Sequence, residues 1–413
     1  MSDFTIIDTC ILCSSVNLVN LFKLKDTPLA NEFVTTSGLK YKQETFPLHL
    51  NMCSDCKHVQ LGHSVSPNRM FSQYAYVSGT AKSFVQHFHN LADHVISTLA
   101  LDSTSFVVEI GSNDGTLLKR FQDNGIPVLG VDPATNIASL ANESGIPTRN
   151  DYFSLSVATD ILSTSGSADV IIANNVLAHT TQLENIVIGV KELLAPKGVL
   201  IFEVSYLLDV VQKLLFDTIY HEHVSYHSIK PLQKFFERLG LEIFNVDLIP
   251  SHGGSIRVYV QHKNGPHKIQ SSVKDCISAE ELALLISIDT FASMKKRIDQ
   301  LKTKIQMLFA EIKDSGNSIC GFGAPAKATT LMYEFDIGAE IIDFIIDDSP
   351  LKQGMYSPGL HIPIQPRTHL EMNQTNYVLI LAWNFAEHLV KDLKNTLGTN
   401  IAYIVPLPEL EVL

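Results

Sequence analysis

The 413-residue sequence has no run of eighteen apolar residues and no basic-then-apolar leader, so neither membrane insertion nor secretion is expected and the expected location is cytoplasmic. Positive charge is in deficit. Against 43 Asp and Glu stand 31 Lys and Arg, a formal net charge of −12 that opposes general affinity for nucleic acid, because phosphate binding is driven largely by cationic side chains displacing counterions. Cysteine is scarce, six in all, too few for a disulfide scaffold in a chain of this size. There is no low-complexity segment, and no internal repeat beyond a shared βαβ logic. A prior of roughly 100 to 200 residues per domain gives two to four domains, and three are expected.

Four of the cysteines fall in two C-x-x-C pairs, Cys10/Cys13 and Cys53/Cys56, separated by 39 residues, counting positions 14 to 52. Two thiolates from each of two tight turns complete a tetrahedral, closed zinc site, and the metal supplies folding energy that so small a segment cannot draw from its own core. His58 and His63 follow the second pair and offer alternative ligands, although four thiolates already suffice. Cys276 and Cys320 read as ordinary buried thiols.

Residues 1–75 are read as this zinc-binding domain, 76–275 as a central α/β domain, and 276–413 as connecting helices leading to a smaller Rossmann-like domain. In the centre, apolar runs at 105–111, 127–132, 170–173 and 199–204 are separated by helical patterning, the signature of a mostly parallel sheet covered on both faces. Ser278-Ala279-Glu280-Glu281 reads as a capping box opening a helical stretch, and Met294, Ile298, Leu301, Ile305, Leu308 and Ile312 make an apolar stripe on a long helix. Strands are expected again near 318–320, 341–347, 377–382 and 401–405.

The first strand of the central domain runs into Glu109-Ile110-Gly111-Ser112-Asn113-Asp114-Gly115, and Asp132 ends the second. In a βαβ unit the first turn lets backbone N–H groups approach a ligand, and an acid at the end of the second strand receives ribose hydroxyls. Asn113 and Asp114 crowd the place where a dinucleotide turn needs glycine, and they add acceptors. That suits the cationic, phosphate-free amino-acid tail of S-adenosylmethionine better than a pyrophosphate, and favours methyl transfer over hydride transfer. Asp151 is placed either at the adenine amino group or as a surface helix cap, and Asn174, at a later strand end, beside the methionine portion of the cofactor.

The C-terminal turn Gly321-Phe322-Gly323-Ala324-Pro325-Ala326-Lys327, with Asp347 beyond it, is a weaker fingerprint because Pro325 is unusual in a dinucleotide turn. The amides around Gly323 and the Lys327 ammonium suit a substrate diphosphate, with a purely structural turn as the alternative. His252 lies on a glycine-rich turn joined to a strand, where Arg257 is open to either a phosphate or a structural carboxylate. Trp383, at a late strand end, is placed against the base or sugar of a substrate, or in the core. Between these regions Tyr220-His221-Glu222-His223-Val224-Ser225-Tyr226 packs five ionisable side chains into seven residues, which suggests acid/base work beside a cofactor platform.

Taken in order, the paired C-x-x-C, E-I-G-S-N-D-G-T-L-L at 109–118, N-N-V-L-A-H at 174–179, Y-H-E-H-V-S-Y at 220–226, G-F-G-A-P-A-K-A-T-T-L at 321–331 and K-Q-G with P-G-x-x-I-P at 352–363 resemble the sugar C-methyltransferases of deoxysugar biosynthesis over essentially the whole chain. The resemblance implies a zinc-binding domain, a class I methyltransferase domain holding S-adenosylmethionine, and a C-terminal Rossmann-like domain that helps hold a thymidine- or guanosine-diphosphate-linked 4-keto-6-deoxy sugar. It implies methylation at carbon 3 through an enolate; charge and hydropathy leave no nucleic-acid or membrane partner expected, and no obligate protein partner is expected either. It also implies that Tyr220, Glu222, His223 and Tyr76, the last in preference to Tyr74, line the sugar; His223 is the candidate base. An NAD-dependent nucleotide-sugar oxidoreductase and a non-catalytic zinc-ribbon scaffold are the competing readings.

Overall fold

The computed structural model describes residues 4–71, 78–80, 82–372, 375–397 and 401–413. Among them an antiparallel sheet is built from Leu18–Thr27, Phe46–Cys53 and Val59–Leu61 in sequence order. Its remaining strand, Ser225–Tyr226, comes from much further along the chain and pairs with Val59 and Gln60. Side chains alternate along a strand, so Phe46, Leu48, Leu50 and Met52 all point inward and are almost completely buried.

The central sheet has the spatial order Leu241–Ile249, Ser255–His262, Leu194–Ser205, Ala168–Asn174, Val107–Ile110, Val128–Val131 and Thr148–Arg149. Every strand runs the same way except Ser255–His262, which lies antiparallel between its two neighbours. Both faces are covered, which is why these strands read as continuous apolar runs. Val107, Val170 and Ile172 pack against the helices Lys82–Leu99 and Thr116–Asp123, while Val108, Ile171 and Ala173 join a larger core that also takes in the sheet of Leu18–Thr27 and the C-terminal sheet. The chain begins this sheet in its middle, at Val107–Ile110, builds outward to one side and returns to lay Ala168–Asn174 on the other. A crevice opens at the carboxyl ends of two strands whose connections diverge in this way.

The C-terminal sheet repeats that logic in the order Ile364–Gln365, Ile345–Ile346, Ile319–Phe322, Tyr377–Ile380, Ala402–Val405 and Glu411–Val412, parallel apart from the last pair. The strand expected over 341–347 is shorter than its apolar run suggests. The amides of Ile341 and Ile342 both reach the carbonyl of Gly338 and close a turn, with the Ile342 side chain buried beneath it.

The long helix Ile288–Asp314 carries the expected stripe, although Phe309 rather than Leu308 is its fully buried member at that level. Its N-cap is Ser287, whose hydroxyl accepts from the amide of Asp289. The proposed capping box at Ser278 is a misreading, because Ser278 lies inside the helix Ser271–Leu282. Glu280 instead turns to a neighbouring helix, Ile229–Arg238, and accepts from the amides of Ile229 (2.6 Å) and Lys230 (3.1 Å) as well as from the Tyr206 hydroxyl. A carboxylate placed on the unpaired N–H groups of a helix start is stabilising wherever in the sequence it comes from. No helix among the described residues is long and apolar enough to cross a membrane.

Glu280→Ala removes an acceptor from two helix amides and one hydroxyl at a buried site. It is expected to cost about 1–3 kcal/mol and to lower the thermal midpoint; a melt coinciding with that of the unsubstituted protein would contradict this cap.

Candidate active site

The four sulfurs of Cys10, Cys13, Cys53 and Cys56 all lie within 4.8 Å of one another, and they form the metal-binding cluster of the described residues. Two similar tight turns present them. The amide of Ser14 returns to the carbonyl of Cys10, and that of Lys57 to Cys53, with Ser14 and Lys57 both in the left-handed region. The crowded thiols differ in acidity: the hydrogen bond with Cys56 brings Cys10 down to about 6, while desolvation lifts Cys13 to about 11. Zinc would remove this disparity by taking all four as thiolates, and the donor set of Cys10, Cys13, Cys53 and Cys56 fits it. The histidines following the second pair are engaged elsewhere. His58 shares a hydrogen bond with the Ser225 hydroxyl (3.2 Å), and the His63 ring packs edge-on against Phe4 and His49.

At the crevice of the central sheet lies a cavity of about 520 Å³. The turn after Val107–Ile110 forms its floor. Gly111 sits at φ +66°, and a Cβ there would fall 2.5 Å from a methyl of Val176, so the close approach of the two strand ends requires glycine. Asp132 pins the turn by accepting from the amides of Asn113 and Ala134, both at 2.9 Å. Burial lifts its carboxyl even so. Glu109 has a buried oxygen with no hydrogen-bond partner, and desolvation together with the charges of Asp114 and Asp132 pushes its carboxyl well above the usual range. Both polar atoms of the Asn174 amide are likewise buried without a partner. These orphaned acceptors around an otherwise apolar space fit a cationic ligand with a polar tail, the character of S-adenosylmethionine.

Of the residues assigned to the cofactor from sequence, Glu109, Gly111, Asn113, Asp132 and Asn174 line this cavity. Asp114 instead accepts from the Thr116 hydroxyl and the Gly79 amide, and Gly115 supplies the left-handed turn into the helix. Asp151 pairs with Arg149 at 2.8 Å, and the neighbouring Tyr152, Phe153 and Ser154 face the cavity. Phe71, Phe84 and Phe88 complete its apolar wall. Phe84 and Phe88 lie in a helix whose apolar face reads as core packing, so nothing local in the sequence marks them.

His179 lines the cavity and connects it to the histidine-rich segment, since its ring lies 5.0 Å from that of His223. The Nδ1 of His223 is 2.7 Å from the carbonyl of Thr218. A carbonyl only accepts, so Nδ1 carries the proton and Nε2 holds the lone pair. The Tyr220 hydroxyl donates to that Nε2 at 3.0 Å. Burial lowers the imidazole to about 4, leaving it neutral at neutral pH. Glu222 is buried and receives the Asn31 amide of the first sheet's domain at 2.6 Å. His221 faces the other way, toward the carbonyl of Phe46. Tyr76 and Tyr74 lie outside the described residues.

In the C-terminal sheet, Gly323 at φ +87° brings its turn against Ala382, where a Cβ would approach to 2.6 Å. Asp347 accepts from the amides of Ala324 (2.6 Å) and Ser349 (2.8 Å), so its carboxylate holds this turn in shape. The Lys327 ammonium lies 3.9 Å over the Trp383 ring and 3.9 Å from Asp217, with no hydrogen-bond partner, and burial lowers its affinity for a proton. Trp383 donates to Asp217 at 2.6 Å. His252 packs against Phe84 of the cavity wall, and its neutral form is favoured by burial and by the charge of Lys327. Arg257 takes the second of the roles open to it, pairing with the buried Glu203, which also holds His87.

Models of three families match consecutive parts of the chain: "Putative zinc binding domain" over residues 10–71, "Methyltransferase domain" over 84–246 and "C-methyltransferase C-terminal domain" over 250–408. The C-methyltransferase NovU of Streptomyces niveus is 32% identical over 407 residues, covering 98% of this chain and 97% of its own. Among solved structures, the magnesium protoporphyrin IX methyltransferase of Synechocystis PCC 6803 is 15% identical over 43% of this chain and 83% of its own, with a TM-score of 0.34, too distant a likeness to carry function. The three matched segments in this order, the near full-length identity and the four-thiolate cluster agree with one another: the chain belongs to the S-adenosylmethionine-dependent C-methyltransferases that carry an N-terminal zinc-binding domain.

Proposed function

We propose that the enzyme methylates carbon 3 of a nucleoside-diphosphate-linked 4-keto-6-deoxy sugar, with His223 as the base and the nucleotide held between the central and C-terminal domains. The observation that carries this reading is the His223 imidazole, neutral and locked in one tautomer by Thr218, its Nε2 held by Tyr220 and its ring beside His179 of the cofactor cavity. A C–H beside a ketone is acidic because the carbanion delocalises onto oxygen as an enolate. A nearby neutral imidazole can take that proton, and the developing anion stabilises the imidazolium as it forms. When substrate enters, the Tyr220 O–H turns from Nε2 to the enolate oxygen, freeing the lone pair and donating where charge appears. One such donor is worth about 10²–10³ in rate. Bound S-adenosylmethionine supplies an electrophilic methyl group. The cavity residues would hold it, Glu109 offering an acceptor to its ammonium and Asn174 an amide to its methionine portion.

Support for the substrate class comes from Lys327. A buried ammonium without a hydrogen-bond partner, flanked by a tryptophan face, suits a diphosphate, whose charge would restore the proton affinity that burial removes.

In heavy water, thymidine- and guanosine-diphosphate-linked 4-keto-6-deoxyhexoses are expected to exchange the proton at carbon 3 with the unsubstituted enzyme but not with His223→Asn, and adding S-adenosylmethionine should methylate that carbon. Exchange that persists in His223→Asn would remove this base. Because the imidazole is held near 4, activity is lost only as pH falls toward that value, so kcat/KM should pass through 6.5 without an inflection; a limb centred at 6.5 would mean a solvated base. Lys327→Met is expected to raise the KM for the nucleotide sugar by about 10–100-fold, the size of one charge-assisted contact, with cofactor affinity unchanged by calorimetry.

A further inference from the structure

We propose that Gln60 is a positioning residue for the base: its side chain ties the metal-binding turn of Cys10 to the strand that carries the His223 segment, so the zinc site sets where the imidazole stands. This rests on the reading of His223 as the base. Gln60 is completely buried at the middle of Val59–Leu61. Its Oε1 accepts from the amide of Ile11 at 2.9 Å, and its Nε2 donates to the carbonyl of Thr9 at 3.0 Å. One primary amide therefore holds the peptide groups on either side of Cys10. Only an amide offers both an acceptor and a donor at that reach; a carboxylate can keep the first contact and loses the second.

The other end of the link is backbone. Gln60 stands opposite Ser225, and the amide of Leu61 donates to the carbonyl of Val224 at 2.9 Å. His58, two residues beyond Cys56, shares a hydrogen bond with the Ser225 hydroxyl. On the far side the amide of Ser225 donates to the carbonyl of Ala178, next to His179 of the cofactor cavity. The segment bearing His223 is thus gripped between a strand set by the thiolate cluster and the rim of the cofactor site. Thr218, which fixes the imidazole tautomer, belongs to neither grip. A shift of Val59–Leu61 therefore moves His223 relative to Thr218 and to the cofactor cavity, and misplacement by about 1 Å costs on the order of 10² in rate.

The test uses the full-length, zinc-loaded enzyme with Gln60→Leu and Gln60→Glu. Zinc content, S-adenosylmethionine affinity, kcat and KM are measured, together with the ¹⁵N imidazole signals of His223, assigned by their loss in His223→Asn. Gln60→Leu is expected to keep its zinc and cofactor affinity, to lose about 10–100-fold in kcat at little-changed KM, and to lose the protonated-Nδ1 signature of the bond to Thr218; Gln60→Glu should fall between it and the unsubstituted enzyme. Retained kcat, or an unchanged His223 signal in a variant that binds zinc and cofactor, overturns the proposal. Should Gln60→Leu fail to bind cofactor, chelation of the unsubstituted enzyme decides: the His223 signal must change while cofactor still binds, and a signal indifferent to zinc overturns it. The activity of His223→Asn tests the base separately, because the imidazole signal reports position whether or not His223 takes the proton.

Discussion

The pairing of Ser225–Tyr226 with Val59–Gln60 is the contact on which the arrangement of this molecule depends. It is two residues long, yet it adds to the N-terminal sheet a strand from within the segment that forms the methyltransferase domain. It sets the Tyr220–Tyr226 segment against the zinc-binding domain on one side and against Ala178 on the other. Short strands are weak alone. This one persists because the residues around it are buried and bonded: Gln60, His58, Ser225 and His227 are each 3% exposed or less. The C-terminal domain reaches the same region from behind, where Thr330 donates to the carbonyl of Ile219 and Trp383 to Asp217, on either side of the Thr218 carbonyl that orients His223.

A second theme is charge kept away from water until a ligand arrives. Glu109 at the cavity and Lys327 against the Trp383 ring each have a buried polar atom with no hydrogen-bond partner, Lys327 having only the longer approach of Asp217, and both have proton affinities displaced toward the neutral form. On the function proposed above, a cationic cofactor would meet the first and an anionic substrate the second, each offsetting part of the desolvation already built into the fold. The buried histidines belong to the same economy. His179, His223 and His252 are all held well below their usual proton affinity by burial, so their rings are neutral at neutral pH.

Much of the architecture was legible because local chemistry dictates it. A C-x-x-C turn brings two thiol side chains together whatever surrounds it, and a β-branched run between helices becomes a covered parallel strand. The readings that went astray concern partners distant in sequence. Ser278 to Glu281 has the spacing of a capping box, but Glu280 caps a helix that begins at Ile229, and spacing cannot report a neighbour brought close by folding. Phe84 and Phe88 form the wall of the cofactor cavity, yet on their own helix they are indistinguishable from residues of an ordinary apolar face.

By itself the sequence determined the zinc ligands, the two doubly wound sheets, the acidic turn of the cofactor site and the clustering of tyrosine, glutamate and histidine at 220–226, because each follows from residue type at short spacing. Only the tertiary structure decided which partner each member of a cluster meets. His221 and His223 are two residues apart and chemically identical, and they part because one meets the carbonyl of Phe46 and the other that of Thr218 beside Tyr220. Arg257 and Lys327 are both buried cations, and one is spent on Glu203 while the other has no hydrogen-bond partner. The role of a polar side chain is set by the partner that desolvates with it: Thr218 and Tyr220 stand close to His223 in sequence, whereas Phe46 and Glu203 are brought to His221 and Arg257 from far along the chain.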